Sequence, residues 1–329
     1  MEAKQKQNDH SVFQKLKSSG KLNGLNLAIW LVLIIIAVVL SITVKGFFSL
    51  NNITNILAQS TSSALLAMGV TFVLISGGMD LSAPVNMMAS GIVGTMVMRD
   101  TGNIFLGILV IFAMSVLIGV LNGIVVAKIR IVPFIATMAM MTVVEAVGQL
   151  SNRSQSITGL PSAYSEIFNA RIGGVFSVQI IFLLVIGVIM HIVLSKTIFG
   201  RWLYAVGKNE KSALICGVPT NKVLIITYAI SGVMAAISSV MTTARLNAAS
   251  VSMGGESTLM DVIAGSIIGG ASLNGGKGTI YGAVLGIVFI TIIGNIMNLA
   301  GVTYYVTLII KGTIIVVFTY IDLLRDKRR

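Results

Sequence analysis

The sequence predicts an all-α polytopic membrane protein with about ten transmembrane helices. Of its 329 residues, 55% are hydrophobic and only 10% are charged, whereas a soluble domain has roughly 25% charged residues. The mean hydropathy is +0.95, and the apolar residues are collected in runs close to the roughly 20 residues that cross a bilayer. These observations exclude a disordered chain, a nucleic-acid-binding protein and an ordinary soluble enzyme.

The chain begins with a polar, basic tail over residues 1–23, and an apolar run over 25–44 follows it. This run is too long for the core of a signal peptide, and no cleavage site with small residues comes after it. We therefore predict an uncleaved first helix. The transmembrane domain is predicted over 24–324, and a basic tail over 325–329 ends the chain.

Nine further apolar runs follow the first helix. Two of them, 85–98 and 259–273, are shorter than a full span. We predict that these two are tilted, broken or re-entrant, which is tolerated only where protein covers the backbone. The other runs cover about 54–76, 104–127, 131–150, 175–194, 223–244, 279–300 and 303–324.

The distribution of basic residues predicts that both termini are cytoplasmic. With ten crossings, seventeen lysines and arginines lie on the cytoplasmic side and five on the outer side, with Lys311 left inside a helix. Cytoplasmic loops of membrane proteins carry such an excess. The net charge of +12 is therefore explained without a nucleic-acid partner.

Two segments of the chain resemble each other at a fixed offset. Both contain a glycine pair, Gly77–Gly78 in one and Gly269–Gly270 in the other. The two segments are LISGGMDLSAPVNMMASGIVG (74–94) and SIIGGASLNGGKGTIYGAVLG (266–286). In the predicted topology both glycine turns face the cytoplasm, so a duplication would be of the parallel kind. A parallel internal repeat and a chance similarity both stay open.

The segment ASLNGGKGT (271–279) superficially resembles a phosphate-binding loop. That motif requires glycine at its first position and serine or threonine after its lysine. Here Ala271 and Gly278 occupy these two positions. We predict a tight, closely packed turn and no nucleotide, cofactor or metal site.

Ionisable residues inside apolar runs are informative because an unpaired charge there is costly. Glu145 and Lys311 lie within runs, and Asp80 and Asp261 lie near the ends of short ones. Lys311 is too far from either helix end to reach water easily, so we expect Asp261 or Asp80 to be its partner. These groups either form structural pairs or line a polar pathway.

Uncharged polar residues recur in four of the runs. Such side chains can hydrogen-bond a neutral polyol, and they can equally join helices to one another. Together with Glu145 they are the candidates for a substrate pathway. They are Gln59, Ser60, Ser63, Asn122, Thr137, Asn295 and Asn298.

The predicted inner loop over 196–222 is the most informative local segment. Gly207 predicts a break, residues 209–216 a short helix, and Gly217 with the following Val-Pro its end. A connection between two helices needs only a few residues. We interpret the short helix as a docking element, and an amphipathic helix at the membrane surface is the alternative.

At this loop the sequence resembles the permease subunits of bacterial ABC importers for monosaccharides. Five blocks carry the resemblance, which covers about 47–324. They are FFSLNNITNILAQSTSSALLAMGVTFVLISGGMDLS (47–82), IGVLNGIVVAKIRIVPFIATM (118–138), GRWLYAVGKNEKSALICGV (200–218), DVIAGSIIGGASLNGGKGTIYGAVLG (261–286) and NLAGVTYYVTLIIKG (298–312).

The resemblance implies a subunit without enzymatic activity in the bacterial cell membrane. Its implied partners are a cytoplasmic ATPase that hydrolyses ATP, a second permease subunit in a homodimer or heterodimer, and an extracytoplasmic sugar-binding protein. It also implies that the inner loop carries the helix that couples to the ATPase. The residues at the matching positions are Gly207, Asn209, Glu210, Ala213 and Gly217.

The residues alone leave one alternative function open. An ion-coupled secondary transporter of a small polar solute could work through Glu145 and Asp80.

Overall fold

The computed structural model describes Val38, Ile42 and residues 46–173 and 176–326. The predicted N-terminal tail and first helix lie outside the described residues, apart from these two isolated positions. Residues 327–329 of the predicted C-terminal tail also lie outside them.

The described chain consists of twelve α-helices and one very short hairpin. The helices are α1 (Leu50–Ile75), α2 (Ala83–Thr101), α3 (Ile104–Ile124), α4 (Pro133–Ser151), α5 (Ser162–Asn169), α6 (Val178–Lys196), α7 (Ile198–Lys208), α8 (Glu210–Ile215), α9 (Thr220–Leu246), α10 (Glu256–Ile268), α11 (Ile280–Leu299) and α12 (Tyr304–Asp326). Strands β1 (Arg171–Ile172) and β2 (Phe176–Ser177) pair antiparallel between α5 and α6. A π-helical turn, Val125–Ile129, follows α3, and a 3-10 turn, Val251–Gly254, precedes α10.

All nine apolar runs that fall within the described residues form helices. Six helical segments there are long and apolar enough to cross a membrane. They are α1, α3 with its π-helical turn, α4, α6, α9 and α11. The prediction of an all-α polytopic membrane protein is confirmed. At 13 residues, α10 is about 20 Å long and shorter than the bilayer core of about 30 Å. The number of crossings stays a prediction.

The helix ends follow local capping rules. The side chain of Ser49 accepts a hydrogen bond from the N–H of Asn52 at the start of α1, and Asn103 does the same for Leu106 at the start of α3. Such caps satisfy N–H groups that have no partner within the helix. Gly102 ends α2 in the left-handed conformation, at φ 68°, which glycine adopts without steric cost.

The centre of the bundle is α1, which packs against α9, α11 and α10. Glycines allow the helix backbones to approach closely. A Cβ atom on Gly119 of α3 would lie 2.5 Å from the carbonyl oxygen of Tyr228 on α9, and one on Gly123 would lie 2.8 Å from the Cα of Ile225. Gly119 and Gly123, which are four residues apart on one helix face, therefore serve the packing of α3 against α9 within this chain.

The glycine pairs of the two similar segments both follow the end of a helix, but at different positions. Gly77 has the positive φ of 81° after α1, whereas Gly270, one residue later in the alignment, has the φ of 92° after α10. The connections also differ, since residues 76–82 follow α1 and residues 269–279 follow α10. The internal repeat stays a prediction.

Candidate functional site

The predicted inner loop contains two helices, α7 and α8. The predicted helix over 209–216 is present as α8, Glu210–Ile215. The side chain of Asn209 caps it by accepting a hydrogen bond of 2.9 Å from the N–H of Ser212, and Gly217 follows it at φ 81°. Ala213 is the buried residue of α8, while Leu214 and Ile215 are 57% and 86% exposed. The helix therefore presents apolar side chains on the surface.

Gly207 does not interrupt the helical structure, contrary to the prediction, because it lies inside α7. The break falls at Asn209, whose backbone is extended. Gly207 instead permits a close approach: a Cβ atom there would collide with the carbonyl oxygen of Ile75 and would lie 2.7 Å from the backbone nitrogen of Gly276. The glycine is required by tertiary packing rather than by a turn.

Three segments meet at this point through their backbones. The N–H of Gly276 donates a hydrogen bond of 2.9 Å to the carbonyl of Ile75 at the end of α1. A Cβ atom on Gly275 would lie 2.6 Å from the carbonyl oxygen of Gly207 and 2.9 Å from the Cα of Gly77. We call Gly77, Gly207, Gly275 and Gly276 the glycine junction. It joins α7 to the end of α1 and to the connection between α10 and α11.

Tyr204 of α7 strengthens this contact. Its hydroxyl donates a hydrogen bond of 2.7 Å to the carbonyl of Gly278. Burial raises the pKa of the Tyr204 phenol above its usual value, so the phenol stays protonated and remains a donor. The predicted tight turn over 271–279 is therefore held against α7 by backbone and side-chain contacts.

Arg130 joins α8 to a further part of the bundle. Its guanidinium pairs with the carboxylate of Glu210 and donates a hydrogen bond of 3.0 Å to the side-chain oxygen of Asn221 in α9. Arg130 follows the π-helical turn after α3 and has a φ of 66°. The sequence indicates only that Arg130 is one of many cytoplasmic basic residues, so its contacts with α8 and α9 could not be predicted.

Asp80 lies in the connection between α1 and α2 and is 2% exposed. One carboxylate oxygen accepts hydrogen bonds from the N–H and the hydroxyl of Ser82, at 3.0 and 2.7 Å. The other accepts from the hydroxyl of Ser231 in α9, at 2.7 Å. The side-chain amide of Asn122 donates to the Ser82 hydroxyl at 2.8 Å. Asp80 thus links the α1–α2 connection to α9 directly and to α3 through Ser82.

Lys311 of α12 pairs with Asp261 of α10, which is one of the two partners considered. The ammonium nitrogen lies 2.8 and 2.9 Å from the two carboxylate oxygens. The side chains are 17% and 26% exposed. Asp80 has the different partners described above. The pair joins the short helix α10 to the last helix of the chain.

The candidate pathway residues do not converge on one surface within the chain. Asn122 and Thr137 lie near the Asp80 connection, where Thr137 donates to the carbonyl of Met79 at 3.1 Å. Asn295 exchanges reciprocal 2.9 Å hydrogen bonds with the amide of Asn52. Both arrangements join helices to one another, which is the role that the sequence left open for these residues beside binding of a solute.

The remaining candidates lie elsewhere. Ser60 is buried and donates to the carbonyl of Leu57 at 2.9 Å within its own helix. Glu145 is half-buried on α4 and accepts from the side chain of Gln149 at 3.1 Å. Ser63 is half-buried, Asn298 is exposed, and Gln59 is exposed at a polar cavity. Their roles as substrate contacts stay predictions.

Comparison with known proteins gives a family for this fold. A family profile described as "Branched-chain amino acid transport system / permease component" matches residues 52–319. The chain is 34% identical to the ribose import permease protein RbsC of Bacillus subtilis (strain 168) over 292 residues, which cover 88% of this chain and 90% of that protein.

Two further relatives come from Escherichia coli (strain K12). The ribose import permease protein RbsC is 32% identical over 88% of this chain and 91% of that protein. The galactose/methyl galactoside import permease protein MglC is 30% identical over 92% of this chain and 95% of that protein. No solved structure gives a significant match. Since both the family profile and these relatives cover most of its length, the chain is a multi-pass membrane protein that belongs to this family of transport-system permease components.

Proposed function

We propose that the chain is the transmembrane permease subunit of an ATP-driven ABC importer that translocates a monosaccharide. The observation that carries this proposal is the similarity of 30–34% identity, over about nine tenths of the chain, to permeases named for ribose and galactose import. The family description names branched-chain amino acids, but the full-length relatives named here import sugars. They therefore favour a sugar as the solute.

The proposed mechanism is alternating access without chemistry in this chain. A cytoplasmic ATPase hydrolyses ATP, and an extracytoplasmic binding protein delivers the sugar. The exposed apolar residues of α8 support its role as the element that seats on the ATPase. The glycine junction supports transmission, because backbones in direct contact cannot move independently.

The proposal includes an assembly of two permease subunits in the bacterial cell membrane, with both termini of this chain in the cytoplasm. The excess of basic residues on one side supports the orientation. The scattered positions of the candidate pathway residues support a pathway that needs a second subunit. Either a second copy or a related permease could supply it.

The test is ATP-driven uptake by a reconstituted complex of permease, ATPase and binding protein. Glu210→Lys places a positive charge beside Arg130 and on the first turn of α8, so we expect uptake to fall at least tenfold while the protein still inserts. Glu166→Lys is the matched control, because it makes the same charge change at an exposed position of another short helix, α5. Normal uptake and normal ATPase binding in Glu210→Lys would contradict the docking role.

An ion-coupled secondary transporter is the competing function. The observation in its favour is that Asp80 is buried with hydroxyl and N–H donors as its partners and with no cationic side chain paired to it among the described residues. Uptake by the purified chain alone, driven by a proton or sodium gradient, would support this function and overturn our proposal. Co-purification of an ATPase whose hydrolysis is stimulated by the loaded binding protein would exclude it.

A further inference from the structure

A polar cavity lies at the end of the bundle opposite the glycine junction. Its volume is about 440 Å³, within the range of small-molecule sites. It is formed by the beginning of α1, the beginning of α6, the end of α9 and the hairpin region. The side chains that carry the argument are Asn55, Gln59, Asn169, Arg171, Gln179 and Arg245.

The position of the cavity fits the first step of import. Gln59 lies 16 residues before Ile75, so the cavity and the glycine junction are separated by about 24 Å along α1. In the predicted topology the junction is cytoplasmic, and the cavity therefore opens towards the outer side. A solute that enters from outside would reach this cavity before the centre of the bundle.

The charges around the cavity are unbalanced. Arg171 and Arg245 line it, and no carboxylate does so among the described residues. The Nε atom of Arg245 is buried and has no hydrogen-bond partner among the described residues. Arg245 lies in the last turn of α9, where the helix dipole stabilises a cation. An unsatisfied buried donor is costly, so a ligand oxygen that accepts from this nitrogen would be stabilised here.

Two amides of the cavity are held in fixed positions. Gln179 is 1% exposed, and its amide nitrogen donates to the side-chain oxygen of Asn169 at 2.9 Å. The amide nitrogen of Asn169 donates in turn to the carbonyl of Ala244 at 2.9 Å, next to Arg245. The wall of the cavity is therefore built before any ligand arrives, which lowers the entropic cost of binding.

We propose that this cavity is a solute-binding site of the permease for an oxygen-rich ligand of monosaccharide size, with Arg245 donating to two neighbouring ligand oxygens. This inference rests on the proposed function and names the site at which the imported solute is held. The planar fork of a guanidinium matches two adjacent oxygen acceptors. A pair of vicinal hydroxyls and a carboxylate both offer that arrangement, so the experiment includes a ligand of each kind.

The experiment is direct binding to the purified chain in nanodiscs, with radiolabelled D-ribose, D-galactose and D-galacturonate. Galactose and galacturonate differ only in the carboxylate. We expect at least one ligand to bind saturably, Arg245→Gln to weaken its binding at least tenfold, and Arg245→Lys to recover part of the loss. Arg153→Gln is the matched control, because this predicted outer arginine is exposed and does not line the cavity. Monodisperse elution of each variant shows that it is folded.

The outcomes distinguish a site for vicinal hydroxyls from a site for a carboxylate. They also distinguish failure of this inference from failure of the proposed function. Equal binding of galactose and galacturonate assigns the site to vicinal hydroxyls, and stronger binding of galacturonate assigns it to a carboxylate. The inference is overturned if no ligand binds, or if Arg245→Gln leaves binding unchanged and weakens only the docking of the loaded binding protein. ATP-driven uptake that persists in either case would leave the proposed function standing.

Discussion

The pairing of Lys311 with Asp261 makes a prediction that tests the packing of α10 against α12. At a separation of 2.8 Å, two unit charges attract by about 6 kcal/mol at an effective dielectric constant of about 20. Withdrawing each ion from water costs several kcal/mol. The intact pair is therefore close to neutral for stability. Removing one member leaves a mostly buried, unpaired charge, which costs about 3–5 kcal/mol.

We expect Lys311→Leu to lower the melting temperature of the purified protein by roughly 5–15 °C. The double variant Lys311→Leu with Asp261→Leu is expected to melt within a few degrees of the unmodified protein, because neither charge then remains. Fluorescence-detected size-exclusion after heating measures both shifts. The coupling energy from the double-mutant cycle is the decisive quantity.

The control substitutes Asp80, the other carboxylate that the sequence suggested as a partner of Lys311. Asp80 is bonded to Ser82 and Ser231, so Asp80→Asn should not rescue Lys311→Leu, and the two effects should add. Additive losses in Lys311→Leu with Asp261→Leu would refute the pairing. Rescue by Asp80→Asn would refute the assignment of the partner.

Three further substitutions test the other contacts. Gly207→Ala places a methyl group against backbone atoms, so it should lower both the melting temperature and the uptake rate. Gly312→Ala is the control and should change neither, because a Cβ atom there meets nothing within 4 Å. Equal effects of the two variants would contradict the close packing at the glycine junction. Arg130→Gln breaks an exposed ion pair, so it should cost at most about 1 kcal/mol of stability. It should nevertheless reduce the amount of solute taken up per ATP hydrolysed. An unchanged ratio would argue against Arg130 as a tether between α8 and α9. Ser231→Ala removes one donor to Asp80 and should destabilise the protein by about 1–3 kcal/mol in chemical unfolding, unlike the exposed Ser195→Ala.

The helices could be predicted from the sequence because the signal for each one is local. Apolar runs, glycine ends and capping residues such as Asn209 act within a few residues, and α8 appears within one residue of its predicted bounds. Lys311 could be assigned a carboxylate partner for a similar reason, since an unpaired ammonium inside an apolar helix is too costly to persist. The choice of Asp261 over Asp80 needed the structure.

The contacts around the candidate site could not be predicted because they depend on which segments meet in space. Gly207 looks like a helix breaker in sequence, and only the approach of Ile75 and Gly276 explains why it stands within a helix. Arg130 is one of many basic loop residues until its contact with Glu210 is known. The polar residues of the runs are ambiguous for the same reason, since one hydroxyl serves equally for a solute or for a neighbouring helix.

The two ends of the bundle are built differently, and the difference bears on how an importer could work. At the glycine junction, backbones touch directly, so a displacement of α7 must carry the end of α1 and the α10–α11 connection with it. At the opposite end, the wall around Arg245 consists of side chains on six separate elements, namely α1, α5, β1, β2, α6 and α9. Hydrogen bonds hold two of these side chains, Asn169 and Gln179, in place. Alternating access requires one end that transmits force and another that takes up and releases a solute. The proposed roles of α8 in ATPase docking and of the cavity in solute binding follow this division. Gly207→Ala and Arg245→Gln should therefore impair different steps. Gly207→Ala should impair the use of ATP for uptake, and Arg245→Gln should impair the binding of the solute.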